Sequence, residues 1–166
     1  SLRDPLTRLL NREGFRTKGT ELLERAKRYN GPVAVVFLDL DRFKPLNDTH
    51  GHAFGDYILT EAAARMQTAL GEKAVVRRHG GDEFAAILGD LSRQEAETRL
   101  AALGMACREA PFQKGQVSAT VTCSVGMVWT HAASPALTLD QLVKAADEAM
   151  YEAKRAGRNK VVFRAV

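Results

Sequence analysis

The segment Val33–Leu40 (VAVVFLDL) constrains this chain more than any other. It is rich in β-branched residues and almost wholly apolar, so it predicts a central strand buried on both faces. The strand runs into Asp39-Leu40-Asp41. Carboxylates at the end of a buried strand are costly unless they are paired or bound to metal.

The flanking pattern alternates helices and strands. Residues 12–29 place Phe15, Leu22, Leu23 and Ala26 at near-helical spacing, and Asn30-Gly31-Pro32 stops that helix. After the strand come a short helix over Phe43–Asp48, a loop containing Gly and His, and a helix over Asp56–Leu70. Two strands, Ala74–Arg78 and Glu83–Leu88, flank His79-Gly80-Gly81-Asp82, a hairpin signal because glycine permits positive φ. A helix over 92–110 and a strand over Thr120–Trp129 follow, the strand alternating Val121, Cys123, Val125, Met127 and Trp129 on one face. A helix over Leu139–Ala156, ended by Gly157, and a strand over Val161–Phe163 close the chain. The order α-β-α-α-β-β-α-β-α-β predicts an α/β (α+β) fold with a mixed central sheet flanked by helices.

Composition narrows the function. The 166 residues are 45% apolar and 27% charged, which suits a folded domain. No apolar run approaches the ~20 residues that span a bilayer, so no membrane contact is expected. Cys107 and Cys123 are too few for a disulfide framework and read as core thiols. His50, His52, His79 and His131 lack zinc-site spacing. The net charge of +4 is uneven: residues 1–30 carry eight basic and four acidic side chains, 31–90 six and nine, and 91–166 ten and seven. An acidic middle opposes nucleic-acid binding, which uses a basic stripe.

That middle gathers into Asp39-Leu40-Asp41 and Asp82-Glu83. If the first strand lies beside the hairpin, Asp39, Asp82 and Glu83 converge at one edge of the sheet, where crowded carboxylates attract a divalent cation. Hard oxygen ligands imply Mg²⁺ or Mn²⁺ bound together with substrate phosphates, and hence phosphoryl or nucleotidyl transfer. Gly80 and Gly81 let backbone approach a ligand closely. Lys44, Lys154 and Arg158 can meet phosphates, and Asn47 and Asp56 can read a purine edge. Asp, Asn and Gly are also ordinary turn and cap residues, and Lys and Arg ordinary helix charges. The residue types alone leave both readings open.

Five motifs in order resemble the GGDEF family of diguanylate cyclases over essentially the whole chain. Residues 4–12 (DPLTRLLNR) are similar to DxLTxLxNR, 37–48 (FLDLDRFKPLND) to FxDxDxFKxxND and 51–56 (GHAFGD) to GHxxGD. Residues 78–84 (RHGGDEF) contain the signature intact, and 154–159 (KRAGRN) are similar to KxxGRN. The resemblance implies a palm-like fold, a single domain over 1–166 and condensation of two GTP into cyclic di-GMP and two pyrophosphates. By position it implies that Asp39, the Leu40 carbonyl, Asp82 and Glu83 hold two Mg²⁺ or Mn²⁺ ions. Asp82 or Glu83 would help deprotonate the 3′-hydroxyl. Asn47 and Asp56 would recognise guanine, His52 would also bind GTP, and Lys44, Lys154 and Arg158 would hold the triphosphate beside Gly80 and Gly81. One GTP per domain implies a face-to-face homodimer.

One departure stands out. Gly71, Glu72, Lys73 and Ala74 occupy the place of the family's RxxD product-inhibition motif, with neither its Arg nor its Asp. Little feedback inhibition through that site is expected. A catalytically weak or inactive GTP-binding regulatory module of the same fold is the main alternative, opposed by the intact Asp39, Asp82 and Glu83. An adenine-accepting cyclase is opposed by Asp56. Because the chain opens at the DPLT motif, the domain is expected to be excised from a longer regulatory protein and to work in the cytoplasm, the whole protein being soluble or membrane-anchored.

Overall fold

In a computed structural model describing residues 1–131 and 134–166, Val33–Leu40 is the middle strand, β1, of a five-stranded sheet. The elements are α1 (Arg12–Arg28), β1, α2 (Phe43–His50), α3 (His52–Leu70), β2 (Val75–Gly80), β3 (Glu83–Gly89), α4 (Arg93–Arg108), β4 (Phe112–Lys114), β5 (Val117–Ala119), β6 (Cys123–Thr130), α5 (Leu139–Arg155) and β7 (Val161–Ala165). The strand order is β2-β3-β1-β6-β7, antiparallel except where β7 joins β6 in parallel. The sheet is mixed, as the hairpin in the middle of the chain predicts.

Every residue of β1 is buried, which accounts for its continuous apolar character. Ala34, Val36, Leu38 and Leu40 pack toward α3 and α4, while Val33, Val35 and Phe37 pack toward α1 and α5. Burying each large side chain contributes about 1.5–3 kcal/mol, so the two-layer cover holds the strand firmly. The two-residue period carries Asp39 onto the α5 side, just where the apolar cover ends.

Three features differ from expectation. Helix α3 starts at His52 rather than Asp56, because Gly51 (φ +91) both ends α2 and begins α3 and leaves no further loop. His52 and Asp56 therefore stand on the first turns of a helix. Strand β6 starts at Cys123 rather than Thr120, and both its faces are buried except at Trp129, which is partly covered. Its far face packs on α5 so closely at Gly126 that a Cβ there would lie 2.3 Å from the Ala146 carbonyl oxygen. Finally, β4 and β5 form a separate two-stranded ribbon, too short to leave a periodicity. Among the described residues, no helix is long and apolar enough to cross a membrane.

Candidate active site

Strand pairing brings the acidic residues together. Asp39 stands opposite Glu83 of β3 on one side and Ser124 of β6 on the other. The Leu40 amide donates to the Asp82 carbonyl at 3.2 Å, so the hairpin turn ends beside the end of β1. Asp39 is only 5% exposed. Its Oδ2 pairs with the Lys154 ammonium, while its Oδ1 is buried with no partner among the described residues. Burial raises the Asp39 pKa to about 6; Lys154 opposes the rise and the neighbouring Asp82 adds to it. Burial likewise raises Glu83, with further contributions from the charges of Asp39 and Asp147.

Asp147 lies outside the five motifs. It lies on α5 two turns before Lys154, a seven-residue spacing that puts both on one helix face, and this was the available signal. Among the described residues, no three His, Cys, Asp or Glu side chains close into a cage made by protein alone. The carboxylates form an open edge, the form of site that suits an ion shared with substrate phosphates.

The hairpin is held from outside. The register of β2 on β3 shifts between Arg78 and Gly80, and Gly81 turns the chain at φ +50. A Cβ at either glycine would meet nothing within 4 Å, so the turn borders open space. Arg78 Nε donates to the Gly81 carbonyl at 2.9 Å, and its guanidinium lies 3.5 Å from Asp4 Oδ1. Asp4 Oδ2 accepts from both the Thr7 amide and hydroxyl at 2.8 Å. Backbone bonds join Leu10 to Val76 and Arg78 on the outer edge of β2. The N-terminal motif thus braces the signature turn. His79, beside it, meets the Phe37 ring edge-on at 5.0 Å, and burial lowers its pKa.

The basic residues divide. Lys154 reaches Asp39 because α5 lies directly on β6 at Gly126. Arg158 follows in the turn after α5, exposed and at φ +65. Lys44 is exposed on α2 and pairs with Asp48 at 3.1 Å, an ion pair of the kind that adds little stability. On the α2–α3 pair, Asn47 Nδ2 lies 3.0 Å from His52 Nδ1. Asn47 also packs on Gly55, where a Cβ would fall 2.0 Å from Asn47 Oδ1. Asp56 is exposed one residue further along α3. At the other end of α3, Gly71 (φ +93) is covered by the Arg99 guanidinium, which donates to the Leu70 carbonyl.

The site's motifs and the fold that carries them agree with one known family. The family model described as "Diguanylate cyclase, GGDEF domain" matches residues 1–160. The chain belongs to this family. It is 39% identical over 158 residues to diguanylate cyclase TpbB of Pseudomonas aeruginosa, covering 93% of this chain and 35% of TpbB. It is 36% identical over 164 residues to response regulator PleD of Caulobacter vibrioides, covering 98% of this chain and 36% of PleD. The chain therefore spans about a third of the length of these relatives. The GGDEF domain of DgcB from Caulobacter crescentus, solved in complex with c-di-GMP, superposes with a TM-score of 0.89 at 26% identity, covering 98% of this chain and 95% of that one.

Proposed function

We propose that this GGDEF domain is a diguanylate cyclase that condenses two GTP into cyclic di-GMP and two pyrophosphates. The observation that carries this reading is the junction of Asp39, Asp82 and Glu83, with a buried Asp39 oxygen that lacks a partner among the described residues. Such an oxygen is costly unless something binds it, and a hard divalent cation fits it. Asp39, the Leu40 carbonyl, Asp82 and Glu83 would hold two Mg²⁺ or Mn²⁺ ions. When bound, these ions stabilise charge on the attacking 3′-oxygen and on the departing pyrophosphate.

The chain's own groups do the rest. Asn47, with His52 beside it, and Asp56 bind GTP through its guanine. Lys154 and Arg158 hold the triphosphate, with Lys44 reaching in from α2, and the open Gly80-Gly81 turn leaves room for it. Asp82 or Glu83 takes the proton from the 3′-hydroxyl; Glu83 is suited by its raised pKa. Each domain carries one GTP, so two copies face each other for both phosphodiester bonds to close, and catalysis comes from positioning and electrostatics. The Gly71–Ala74 segment lacks the charged pair that would hold product, so turnover proceeds without feedback through that site. The domain works where GTP is, in the cytoplasm, without touching nucleic acid or membrane.

The test is mass analysis of products after incubating the protein with GTP, ATP and Mg²⁺ over a range of protein concentrations. Cyclic di-GMP alone, at a rate rising more steeply than protein concentration, supports the reading. Absence of any cyclic dinucleotide at high protein concentration sinks it in favour of a GTP-binding regulatory module.

A further inference from the structure

We propose that Asp41 is a positioning residue that fixes the phosphate-binding turn 154–158 relative to the metal-binding strand. The proposal rests on the reading of that turn given above. Asp39 and Asp41 are two residues apart and both buried, each 5% exposed, yet their oxygens are used differently. Asp39 keeps one oxygen without a partner among the described residues. Asp41 uses both: Oδ1 accepts from the Ser124 hydroxyl at 2.7 Å, and Oδ2 accepts from the Thr122 hydroxyl at 2.7 Å and the Asn159 amide at 2.9 Å. Its own amide donates to the Thr122 carbonyl at 2.8 Å. The chain thus takes three of the carboxylate's roughly four lone-pair sites, which leaves Asp41 less free than Asp39 to hold an ion.

The Asn159 contact gives Asp41 its consequence. Gly157, Arg158 and Asn159 take φ values of +116, +65 and +50, a left-handed stretch in which two of three residues carry side chains. Such backbone persists only where its surroundings hold it. The turn is tied at its start by backbone bonds from Gly157 to Lys154 and from Arg158 to Ala153. At its far end it is tied by Asp41 and by Arg108, which donates to Asn159 Oδ1 at 3.1 Å. Asp41 is therefore the link by which β1 sets the height of Arg158. Asp39, on the same strand, sets Lys154 in the same way. Two carboxylates thus register both phosphate-binding side chains against one strand end.

The experiment compares two probes on wild type, Asp41→Ala and Asp41→Asn. One is 3′-deoxy-GTP with Mg²⁺, which lacks the attacking hydroxyl; the other is guanosine, which lacks the phosphates. Asp41→Ala is expected to weaken 3′-deoxy-GTP by about tenfold, the worth of one charge-assisted hydrogen bond, and guanosine by less than about twofold. With GTP the loss should fall on KM rather than kcat. Asp41→Asn keeps an oxygen for the Asn159 amide and should fall between wild type and Asp41→Ala. If Asp41→Ala does not fold, amide exchange in Asp41→Asn decides: Asn159 should exchange faster than in wild type while Ser124 is unchanged. Equal loss for both probes, no loss for either, or an unchanged Asn159 exchange rate overturns the proposal. If wild type itself binds 3′-deoxy-GTP no more tightly than guanosine, the phosphate-turn reading fails first and the proposal with it.

Discussion

Lys154, in the last turn of α5, sets its ammonium on the Asp39 carboxylate at the end of β1. This contact joins the basic C-terminal third of the chain to its acidic middle. It is made possible by Gly126, whose missing side chain lets α5 lie against β6 and bring its C-terminal end to the strand that carries Asp39. The pairing occupies one Asp39 oxygen and leaves the other buried with no partner among the described residues.

Asp39 titrates at about 6 in the folded protein against 3.8 when unperturbed, chiefly because it is buried. The folded state therefore binds this proton more tightly than the unfolded chain does. Its contribution favours folding below pH 3.8, fades as pH rises through 6 and is a full penalty above that. Chemical denaturation between pH 4 and 7 should show wild-type stability falling relative to Asp39→Asn across this window. Parallel curves would refute the shift. Added Mg²⁺ should lower the apparent pKa, since a bound cation favours the carboxylate.

Asp4 provides the opposite sign. Burial pushes its carboxyl up, but the Thr7 amide and hydroxyl together with Arg78 outweigh it and leave the pKa lowered. The brace it makes is present above pH 3.8 and is lost as pH falls below it. Asp4→Ala should cost about 1–2 kcal/mol, by analogy with loss of an Asp helix cap, measured by denaturant unfolding at neutral pH. Because Arg78 also holds the Gly81 carbonyl, the variant should lose activity even where it remains folded. Full activity in Asp4→Ala would show that the signature turn needs no brace.

Gly55→Ala isolates guanine recognition. Alanine is the better helix former, yet its Cβ would fall 2.0 Å from Asn47 Oδ1. The side chain of Asn47 must move away, and GTP affinity should fall roughly tenfold, the effect of losing one well-aligned hydrogen bond. Calorimetric titration with a non-reacting GTP analogue checks this. Unchanged affinity would remove Asn47 from the guanine site.

The 71–74 segment makes a prediction about product. Gly71 ends α3 at φ +93 under the Arg99 guanidinium, a place where a side chain is strained and crowded. Calorimetry with cyclic di-GMP should find no tight binding that depends on residues 71–74. Tight binding abolished by substituting Glu72 and Lys73 would contradict the expectation of weak feedback.

Much of this was legible in the sequence because burial on two faces leaves an unmistakable trace. VAVVFLDL reads as a central strand and Gly80-Gly81 as a hairpin turn, and the pairing of β1 with β3 then brings Asp39 beside Asp82 and Glu83. What was not legible depends on contacts far apart in the chain. Asp39 and Asp41 are the same residue type two positions apart. They are distinguished by Lys154 on the one and by Thr122, Ser124 and Asn159 on the other, all more than eighty residues away. The start of α3 is hidden in the sequence because Gly51 and His52 resemble a loop, whereas in the fold one glycine serves two helices. Asp147 belongs to no motif, and its place beside Glu83 follows from the way α5 lies across the sheet.

The carboxylates at the junction of β1 and the hairpin are proposed to perform Mg²⁺-dependent condensation of GTP. Turnover by wild type and Asp82→Asn, with binding of 3′-deoxy-GTP measured separately on each, tests it most directly. Wild type should form cyclic di-GMP only when Mg²⁺ is supplied, and Asp82→Asn should form no product despite measurable nucleotide binding. Product formation by Asp82→Asn at the wild-type rate, or by wild type without a divalent cation, would contradict it.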